Sequence, residues 1–317
     1  MTSHALVADI GATNARFALL GEDGTTISQT LKCRDHPSFE AAVRSFLNRT
    51  AINHWPKVAA VAIAGPVLSD RVEMTNHPWE FSIQQTQSML GLDKLLVIND
   101  FTAQALAVTK LTPNDVSKIG GGEARSTGPV GVLGPGTGLG VSGLVHDRGR
   151  WLPLAGEGGH VTLCATTQRE EEVIACLRKR FGHVSAERAL SGQGLVNLYT
   201  ALATIDHLDV EERQSHEITA AAIAGDHPVC LEAVELFCAF LGSIAGNLAL
   251  TLGATGGVYI AGGIVPKLGS LFHASSFRSR FESKGRFFSY QERIPTYLIT
   301  RDIPAFLGLQ ALLEMQE

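Results

Sequence analysis

Two polar residues, Asn99 and Asp100, come directly after the apolar run Leu95–Ile98. The run contains β-branched residues and predicts a strand buried on both faces, as in a sheet covered by helices. Because such a sheet presents ligand-binding groups at the carboxyl ends of its strands, both polar residues are candidates for binding and acid–base chemistry. The Ala-rich segment Phe101–Ala107 predicts a helix. Asp100 is therefore either a ligand-facing carboxylate or simply the cap of that helix.

Two glycine-rich turns, each with a threonine, are candidates for binding phosphate. The first lies within Asp9–Asn14 (DIGATN) and the second is Gly134–Gly140 (GPGTGLG). Glycine lets main-chain N–H groups approach phosphate oxygens, and threonine adds a donor. Either turn alone is equally explained as an ordinary hairpin turn, but its recurrence at the opening of each half of the chain favours phosphate binding. Neither turn matches the P-loop or the dinucleotide fingerprint, which disfavours those two classes.

A second polar cluster, Glu157 and His160, lies among three glycines in the sequence GEGGH. His160 is also explained as a structural histidine. A di-iron motif would need regular helices and a second copy, and a metal site of His160 with Cys164 lacks further ligands nearby. Glu187 is ambiguous, because a carboxylate in the first turn of a helix has a structural role of its own. A polyhydroxylated ligand needs hydrogen-bonding partners, and carboxylates accept hydrogen bonds from hydroxyl groups. The residues that suit such a ligand are Asn99, Asp100, Glu157 and His160.

Strands and helices alternate in the first part of the chain and predict a sheet with helical cover. Ala5–Leu20 is a hairpin around the first glycine turn, and Gly24 marks the next turn. Thr75–Trp79 is a polar loop. The remaining predicted elements are strand Thr26–Lys32, a helix over Ser38–Asn48 with Ser38 as cap, strand Val58–Ala64, and helix Ser82–Leu90 stopped by Gly91.

The second part repeats the strand–turn–strand pattern in Pro129–His146, and this weak internal repeat predicts two lobes of related topology facing one cleft. Thr109–Arg125 is predicted to be a loop that hinges them. The elements that follow are helix Thr166–Gly182, one or two helices in Ser185–Leu202, a long helix in Asp226–Leu252, a strand in Gly256–Val265 with a third glycine turn, strand Thr296–Ile299, and a last helix that Asp302 caps and that returns to the first lobe.

Length and composition set the class of protein. A chain of 317 residues predicts two domains, and a net charge of −5 without a basic block argues against nucleic-acid binding. Five cysteines without a CxxC pair indicate reduced thiols and a cytoplasmic protein. We expect no signal peptide before Asp9. The apolar run Ala233–Leu252 contains Glu235, so we expect a buried core helix and no membrane association.

Seven motifs together resemble the bacterial ATP-dependent glucokinases of the proteobacterial type. They run in that family's order and are ADIGATNARFALL, MTNHPWEFS, INDFTA, GPGTGLG, LAGEGGHV, GHVSAERALSGQGLVNLY and IAGGIVPK. The resemblance implies an α/β fold of the two-lobed hexokinase/actin-like (ribonuclease H-like) type. It implies a small lobe over residues 1–110 completed by a C-terminal helix in 300–317, and a large lobe over residues 111–299. A homodimer is implied in the same way.

The resemblance also implies roles for individual residues. Asp100 would be the catalytic base, and the sugar hydroxyls would be bound by Asn99, Asp100, Glu157, His160 and Glu187. ATP would be bound by Ala8, Asp9, Ile10, Gly11, Ala12, Thr13, Asn14, Gly136, Thr137, Gly138, Gly262 and Gly263. Mg²⁺ would arrive with the nucleotide, and Asp9 is a candidate for contacting it through water. Two departures stand out: Ala12 replaces a common second glycine, and the Cys-rich motif of the repressor/kinase relatives is absent, so we expect no structural zinc.

The implied activity is transfer of the γ-phosphoryl group of ATP to the 6-hydroxyl of D-glucose. Two rival functions exist on the same scaffold. A sugar-responsive transcription regulator would need a DNA-binding module, and the first phosphate turn begins too early for an N-terminal helix-turn-helix. An actin-like ATPase would not need Glu157 and His160 together with Asn99 and Asp100. We therefore expect a glucokinase.

Overall fold

The computed structural model describes residues 5–21, 26–50, 52, 54–74 and 77–316. The turn predicted at Gly24 and the first two residues of the loop predicted at Thr75–Trp79 lie outside the described residues. The chain forms two compact units. The first unit contains Met1–Leu111 and Asp302–Glu317, and the second contains Thr112–Arg301.

The first unit opens with the predicted hairpin. Strands β1 (Ala5–Ile10) and β2 (Asn14–Leu20) pair antiparallel, and β3 (Thr26–Lys32) pairs with β2. Helix α1 (Phe39–Arg49) begins at Ser38, whose hydroxyl accepts a hydrogen bond from the N–H of Ala41, as the cap prediction requires. The unit continues with β4 (Val58–Ile63), β5 (Arg71–Glu73), β6 (Glu80–Ser82), α2 (Ile83–Leu90), β7 (Lys94–Asn99) and α3 (Asp100–Ala107).

The sheet of the first unit has the strand order β3-β2-β1-β4-β7, and β1, β4 and β7 run parallel. Ile10, Ile63 and Asn99 are aligned across these three strands, so their carboxyl ends lie at one edge of the sheet. The prediction that Leu95–Ile98 is buried on both faces is wrong. Within that run Leu95 is buried and the others are half-buried, because β7 is the outermost strand of the sheet.

The second unit contains the larger sheet and most of the helices. Its elements are β8 (Val116–Gly120), β9 (Val130–Pro135), β10 (Leu139–Asp147), β11 (Arg150–Leu154), α4 (Gln168–Phe181), α5 (Gly192–Ile205), α6 (Ser215–Ala224), α7 (Pro228–Leu252), β12 (Gly257–Ile260), α8 (Val265–Leu268), α9 (Ser270–Ala274), α10 (Phe277–Glu282), α11 (Phe288–Gln291) and β13 (Thr296–Ile299). The loop predicted over Thr109–Arg125 is wrong for β8, which pairs antiparallel with β13. The glycines and the proline of this segment predict a loop, but pairing with β13 makes part of the segment a strand.

The sheet of the second unit has the order β11-β10-β9-β12-β13-β8. Strands β9, β10 and β11 are antiparallel neighbours, and β12 and β13 are parallel to β9. Leaving out the edge strand β8, this is the order and direction found in the first unit. The predicted repeat of topology is therefore confirmed.

Helix α7 is the centre of the second unit. It is long and apolar enough to span a bilayer, but 78% of its most apolar window is buried inside the protein. Its side chains belong to one apolar core with residues of the neighbouring helices and the sheet, among them Phe237, Phe240 and Leu241. The prediction of a buried core helix is confirmed.

The last helix, α12 (Ala305–Glu314), belongs to the first unit, as predicted. It packs closely on α3, since a Cβ at Gly308 would lie 1.8 Å from the carbonyl oxygen of Ala103. The prediction that Asp302 caps this helix is wrong. The N-cap is Pro304, without a side-chain hydrogen bond, because the backbone at Ile303 has a φ of 48° and turns the chain before the helix begins.

Candidate active site

Asn99 is held at both ends of its side-chain amide. Its Oδ1 accepts hydrogen bonds from the N–H groups of Phe101 (2.9 Å) and Thr102 (3.1 Å), which makes it the cap of α3. Its Nδ2 donates to the carbonyl oxygen of Gly65 (3.2 Å), at the end of the neighbouring strand β4. These contacts fix the point at which β7 turns into α3.

Asp100 is the first residue of α3 and is half-buried. Its Oδ1 also accepts from the N–H of Phe101 at 2.9 Å. The alternative in which Asp100 is the cap of the helix is wrong, because Asn99 occupies the cap position. The helix dipole favours a negatively charged residue in the first turn of a helix, which agrees with the place of Asp100.

The first glycine turn connects β1 to β2 and is fastened from β3. The N–H of Gly11 donates to the carbonyl oxygen of Asn14 at 3.0 Å. Cys33 supports the turn twice, since its N–H donates to the oxygen of Thr13 (3.0 Å) and its Sγ donates to the oxygen of Gly11 (3.3 Å). The ammonium of Lys32 donates to Oδ1 of Asn14 at 2.8 Å. The turn is thus preformed at the sheet edge that also carries Asn99.

The other predicted nucleotide residues of the first unit differ in exposure. Ala8 and Ile10 are buried in β1, so their side chains cannot contact a ligand. Ala12 is half-buried, and Thr13 is exposed at the tip of the turn. Thr13 can therefore supply the hydroxyl donor that the sequence predicts.

Asp9 lies in β1 directly opposite Arg16 in β2, and Arg16 Nη1 is 3.0 Å from Asp9 Oδ2. Burial raises the pKa of Asp9 above its ordinary value, and the charge and hydrogen bond of Arg16 oppose that rise. Sequence reasoning missed Arg16. The signal for it was available, because a hairpin turn centred on Ala12 and Thr13 places these two residues opposite each other.

The second glycine turn connects β9 to β10 and lies at the beginning of helix α5. The N–H of Gly136 donates to the oxygen of Gly138 (2.8 Å), and the oxygen of Gly136 accepts from the N–H of Gly192 (2.9 Å). Ser191 caps α5 by accepting from Gly194. Thr137 is exposed at the tip of the turn. Sequence reasoning did not connect this helix N-terminus with the turn, although such a terminus favours anions.

Glu187 lies in a single 3-10 turn, Ala186–Arg188, and its carboxylate contacts the second glycine turn. Its Oε2 accepts a hydrogen bond from the N–H of Leu139 at 2.9 Å. A Cβ at Gly138 would lie 2.4 Å from the same oxygen. Because Gly138 has no side chain, there is room for the Glu187 carboxylate beside the turn.

Glu157 precedes the 3-10 turn Gly158–His160 and His160 is its last residue, and both side chains are exposed. The turn packs against the first residue of β10, since a Cβ at Gly159 would lie 2.0 Å from the oxygen of Leu139. The chain after His160 then runs beside the segment of Glu187, where the N–H of Ala186 donates to the oxygen of Val161 (2.8 Å). The structure thus assembles all three predicted sugar-binding residues of the second unit around the start of β10.

The third glycine turn follows β12 and packs on the end of β9. Gly262 has a φ of 85°, and a Cβ there would lie 2.3 Å from the oxygen of Pro135. Gly263 has nothing within 4 Å of its Cβ position. Gly262 is thus required by the fold, whereas Gly263 presents open backbone. The second and third turns are neighbours in the second unit.

The predicted residues fall into two groups by unit. The first unit brings the Asp9–Asn14 turn to the same sheet edge as Asn99 and Asp100. The second unit groups the remaining predicted residues, namely Gly136, Thr137, Gly138, Glu157, His160, Glu187, Gly262 and Gly263. Within the described part of the chain, no cluster of three or more His, Cys, Asp or Glu side chains is arranged to hold a metal ion.

Comparison with known proteins assigns the chain to a family. The family model described as Glucokinase matches residues 6–316. A curated glucokinase from Aromatoleum aromaticum is 52% identical over 311 residues, covering 98% of this chain and 94% of that protein. The chain belongs to the glucokinase family. This membership confirms the family resemblance found in the sequence. It also confirms the predicted activity, which is that of an ATP-dependent glucokinase.

Two solved glucokinase structures share the fold. The crystal structure of a glucokinase from an Antarctic psychrotroph is 36% identical, has a TM-score of 0.89, and covers 99% of both chains. A ROK family glucokinase from Streptomyces griseus, solved in complex with glucose and AMPPNP, is 20% identical with a TM-score of 0.64 and covers 99% of this chain and 100% of its own. The α/β fold of the sugar kinases is therefore confirmed.

Proposed function

We propose that the protein catalyses phosphorylation of D-glucose at its 6-hydroxyl with Asp100 as the base. The observation that carries this proposal is that Asn99, and not Asp100, caps α3. Asp100 follows Asn99 at the sheet edge that also carries the first glycine turn. Asp100 is not the cap of α3, and a carboxylate at this position has the chemistry to take the proton of a sugar hydroxyl. The whole chain would have the two-lobed hexokinase/actin-like fold.

The reaction asks the protein mainly for positioning and for stabilisation of charge. The 6-hydroxyl oxygen attacks the γ-phosphorus, its proton passes to the Asp100 carboxylate, and the bond from the γ-phosphorus to the bridging oxygen breaks to leave ADP. Main-chain N–H groups at the tips of the two glycine turns, other than those of Gly11 and Gly136, would donate to phosphate oxygens together with the hydroxyls of Thr13 and Thr137. The N-terminus of α5 adds positive potential beside the second turn.

The sugar would be bound through hydrogen bonds to its other hydroxyls. Glu157 and His160 have the exposure that such contacts require, and Glu187 and Asn99 are held in place by backbone partners. The substrate nucleotide would be Mg-ATP, with Asp9 contacting the hydrated ion. The ion pair with Arg16, across the hairpin, holds that carboxylate in place. The glucose and AMPPNP bound in the Streptomyces griseus glucokinase support this pair of ligands.

The proposal is tested by ADP release from the purified protein with glucose, mannose, fructose or N-acetylglucosamine, and without sugar. Release that depends on glucose, with glucose 6-phosphate as the product, is the expected result. ADP release without sugar would favour the actin-like ATPase, and sugar binding without ADP release would favour the regulator. The homodimer and the cytoplasmic location stay predictions, and light scattering on the same preparation tests the homodimer.

A further inference from the structure

The backbone N–H of Leu139, the residue that follows the GPGTG sequence, donates to the carboxylate of Glu187 at 2.9 Å. We propose that the second phosphate turn positions Glu187, so that glucose binding and ATP binding are coupled by this contact inside the second unit. The inference rests on the proposed function, which assigns the turn to phosphate and Glu187 to the sugar.

The contact between Leu139 and Glu187 can transmit a change of position from the turn to the carboxylate. Glu187 is half-buried, and a hydrogen bond from a backbone amide to a carboxylate is stronger than one between neutral groups. The carbonyl side of Leu139 is in contact with Gly159, between Glu157 and His160. Leu139, at the start of β10, thus contacts both segments that would bind the sugar. When phosphate binds, any change in the turn therefore moves the partner of Glu187.

The sign of the coupling follows from charge. The carboxylate of Glu187 lies beside a turn that would receive negatively charged phosphate, and the two repel each other. Sugar hydroxyls that donate to Glu187 offset part of its charge and hold the side chain in one position. Glucose should therefore strengthen nucleotide binding, and the reciprocal effect must be equal because the coupling free energy is shared.

Gly138 offers a substitution that acts directly on this contact. A Cβ there would meet only the carboxylate end of Glu187, at 2.4 Å from Oε2, and the backbone has no positive φ at this residue. Gly138→Ala should therefore displace the carboxylate and leave the fold intact. Gly136→Ala is the matched control for the glucose titration only, because the Cβ position of Gly136 has nothing within 4 Å but lies in the proposed nucleotide turn.

The experiment is calorimetry on the wild type, Gly138→Ala and Gly136→Ala, with equal melting temperatures as the check of folding. Glucose is titrated without nucleotide, and Mg-AMPPNP is titrated with and without saturating glucose. We expect glucose to tighten AMPPNP binding by about fivefold or more in the wild type. In Gly138→Ala, glucose affinity without nucleotide should fall on the order of tenfold, and the effect on AMPPNP should disappear. Gly136→Ala should keep the wild-type affinity for glucose.

Three outcomes would overturn the inference. Wild-type glucose affinity together with an unchanged effect on AMPPNP in Gly138→Ala would show that Leu139 does not position Glu187. A wild type that phosphorylates glucose, but whose AMPPNP affinity does not respond to glucose, would remove the coupling and leave the proposed function standing. A wild type that binds no glucose would remove both.

Discussion

Asp9 and Arg16 lie directly opposite each other in the β1–β2 hairpin and form an ion pair, with 3.0 Å between Nη1 and Oδ2. The side chain of Asp9 is 16% exposed and that of Arg16 is 36% exposed. Burial influences the carboxyl group more than the arginine does, so the pKa of Asp9 is raised above 3.8. The contribution of Asp9 to the unfolding free energy should therefore depend on pH.

The first prediction concerns this dependence. A carboxyl group with a raised pKa in the folded state stabilises the fold while it is protonated, and the contribution is lost as pH rises from 3.8 through the raised pKa. Asp9→Asn has no such group. Urea unfolding of both proteins from about pH 4 to about pH 8 should show the difference in unfolding free energy shifting in favour of Asp9→Asn as pH rises. A difference that stays constant, or shifts toward the wild type, would contradict the raised pKa.

The second prediction separates chemistry from capping at the start of α3. Asp100→Asn should fold with near-normal stability and bind glucose nearly as well, but its kcat should fall by roughly 10²–10⁴-fold because the amide cannot take the proton. Asn99→Ala is the matched variant, and it should lose about 1 kcal/mol or more of unfolding free energy with the helix cap. Single-turnover phosphoryl transfer and denaturant unfolding on both variants check this. A rate for Asp100→Asn within about threefold of wild type would place the base elsewhere, with Glu157 the next residue to test.

The third prediction is that Gly136 marks a close approach of the nucleotide. Its Cβ position is open, so Gly136→Val should fold, and a higher KM for ATP would then report a side chain in the path of phosphate. Gly138→Val is a poorer test, because its side chain would also displace Glu187 and weaken sugar binding. Steady-state kinetics with ATP varied at saturating glucose measures the effect. An unchanged KM for ATP would make the turn an ordinary hairpin turn.

The fourth prediction is that Glu157 and His160 set the affinity for glucose. Removing the partner of a desolvated hydroxyl costs about 1–3 kcal/mol, so Glu157→Gln or His160→Ala should raise the Kd for glucose on the order of tenfold or more. His183→Ala is a control on the adjoining segment, where His183 Nε2 lies 3.1 Å from Thr162 Oγ1, and it should leave the Kd unchanged. Calorimetry giving wild-type affinity for both test variants would leave these residues with structural roles.

The fifth prediction concerns the packing of α12 on α3. A methyl group at Gly308 would collide with the backbone of Ala103, and overpacking of this kind typically costs about 1–3 kcal/mol. Gly308→Ala should therefore lower the unfolding free energy by at least that amount. Glu314→Ala on the same helix loses an ion pair with Lys110 and a hydrogen bond from Gln310, both at the surface, and should cost between about 0 and 1 kcal/mol. Equal melting temperatures for the two variants would contradict the close packing.

Features set by neighbouring residues were predictable from the sequence. The cap at Ser38, the glycine stop at Gly91 and the hairpin of Ala5–Leu20 all appear in the structure. Each depends on hydrogen bonds or backbone angles within a few residues, which residue type determines directly. The repeat of topology was also visible, because both halves carry the same short strand–turn–strand pattern.

Features set by distant partners were not predictable. Strand β8 is extended because β13 pairs with it, although β13 comes far later in the chain. The link from Glu187 to Leu139 joins residues 48 apart in sequence, and no local pattern contains it. Asn99 caps α3 with its amide oriented by the carbonyl oxygen of Gly65, which lies just after strand β4. Such contacts follow from the assembled sheet and not from the segment itself.

The first unit is made of two stretches of chain, with the whole second unit inserted between them. A ribosome makes β1 to α3 first, then every element of the second unit, and only afterwards the helix that covers α3. Domains fold as units during synthesis, so the second unit can finish folding while the surface of α3 around Ala103 still awaits its cover. The segment made first is therefore completed last, and the nascent chain carries an exposed apolar helix face through most of its translation.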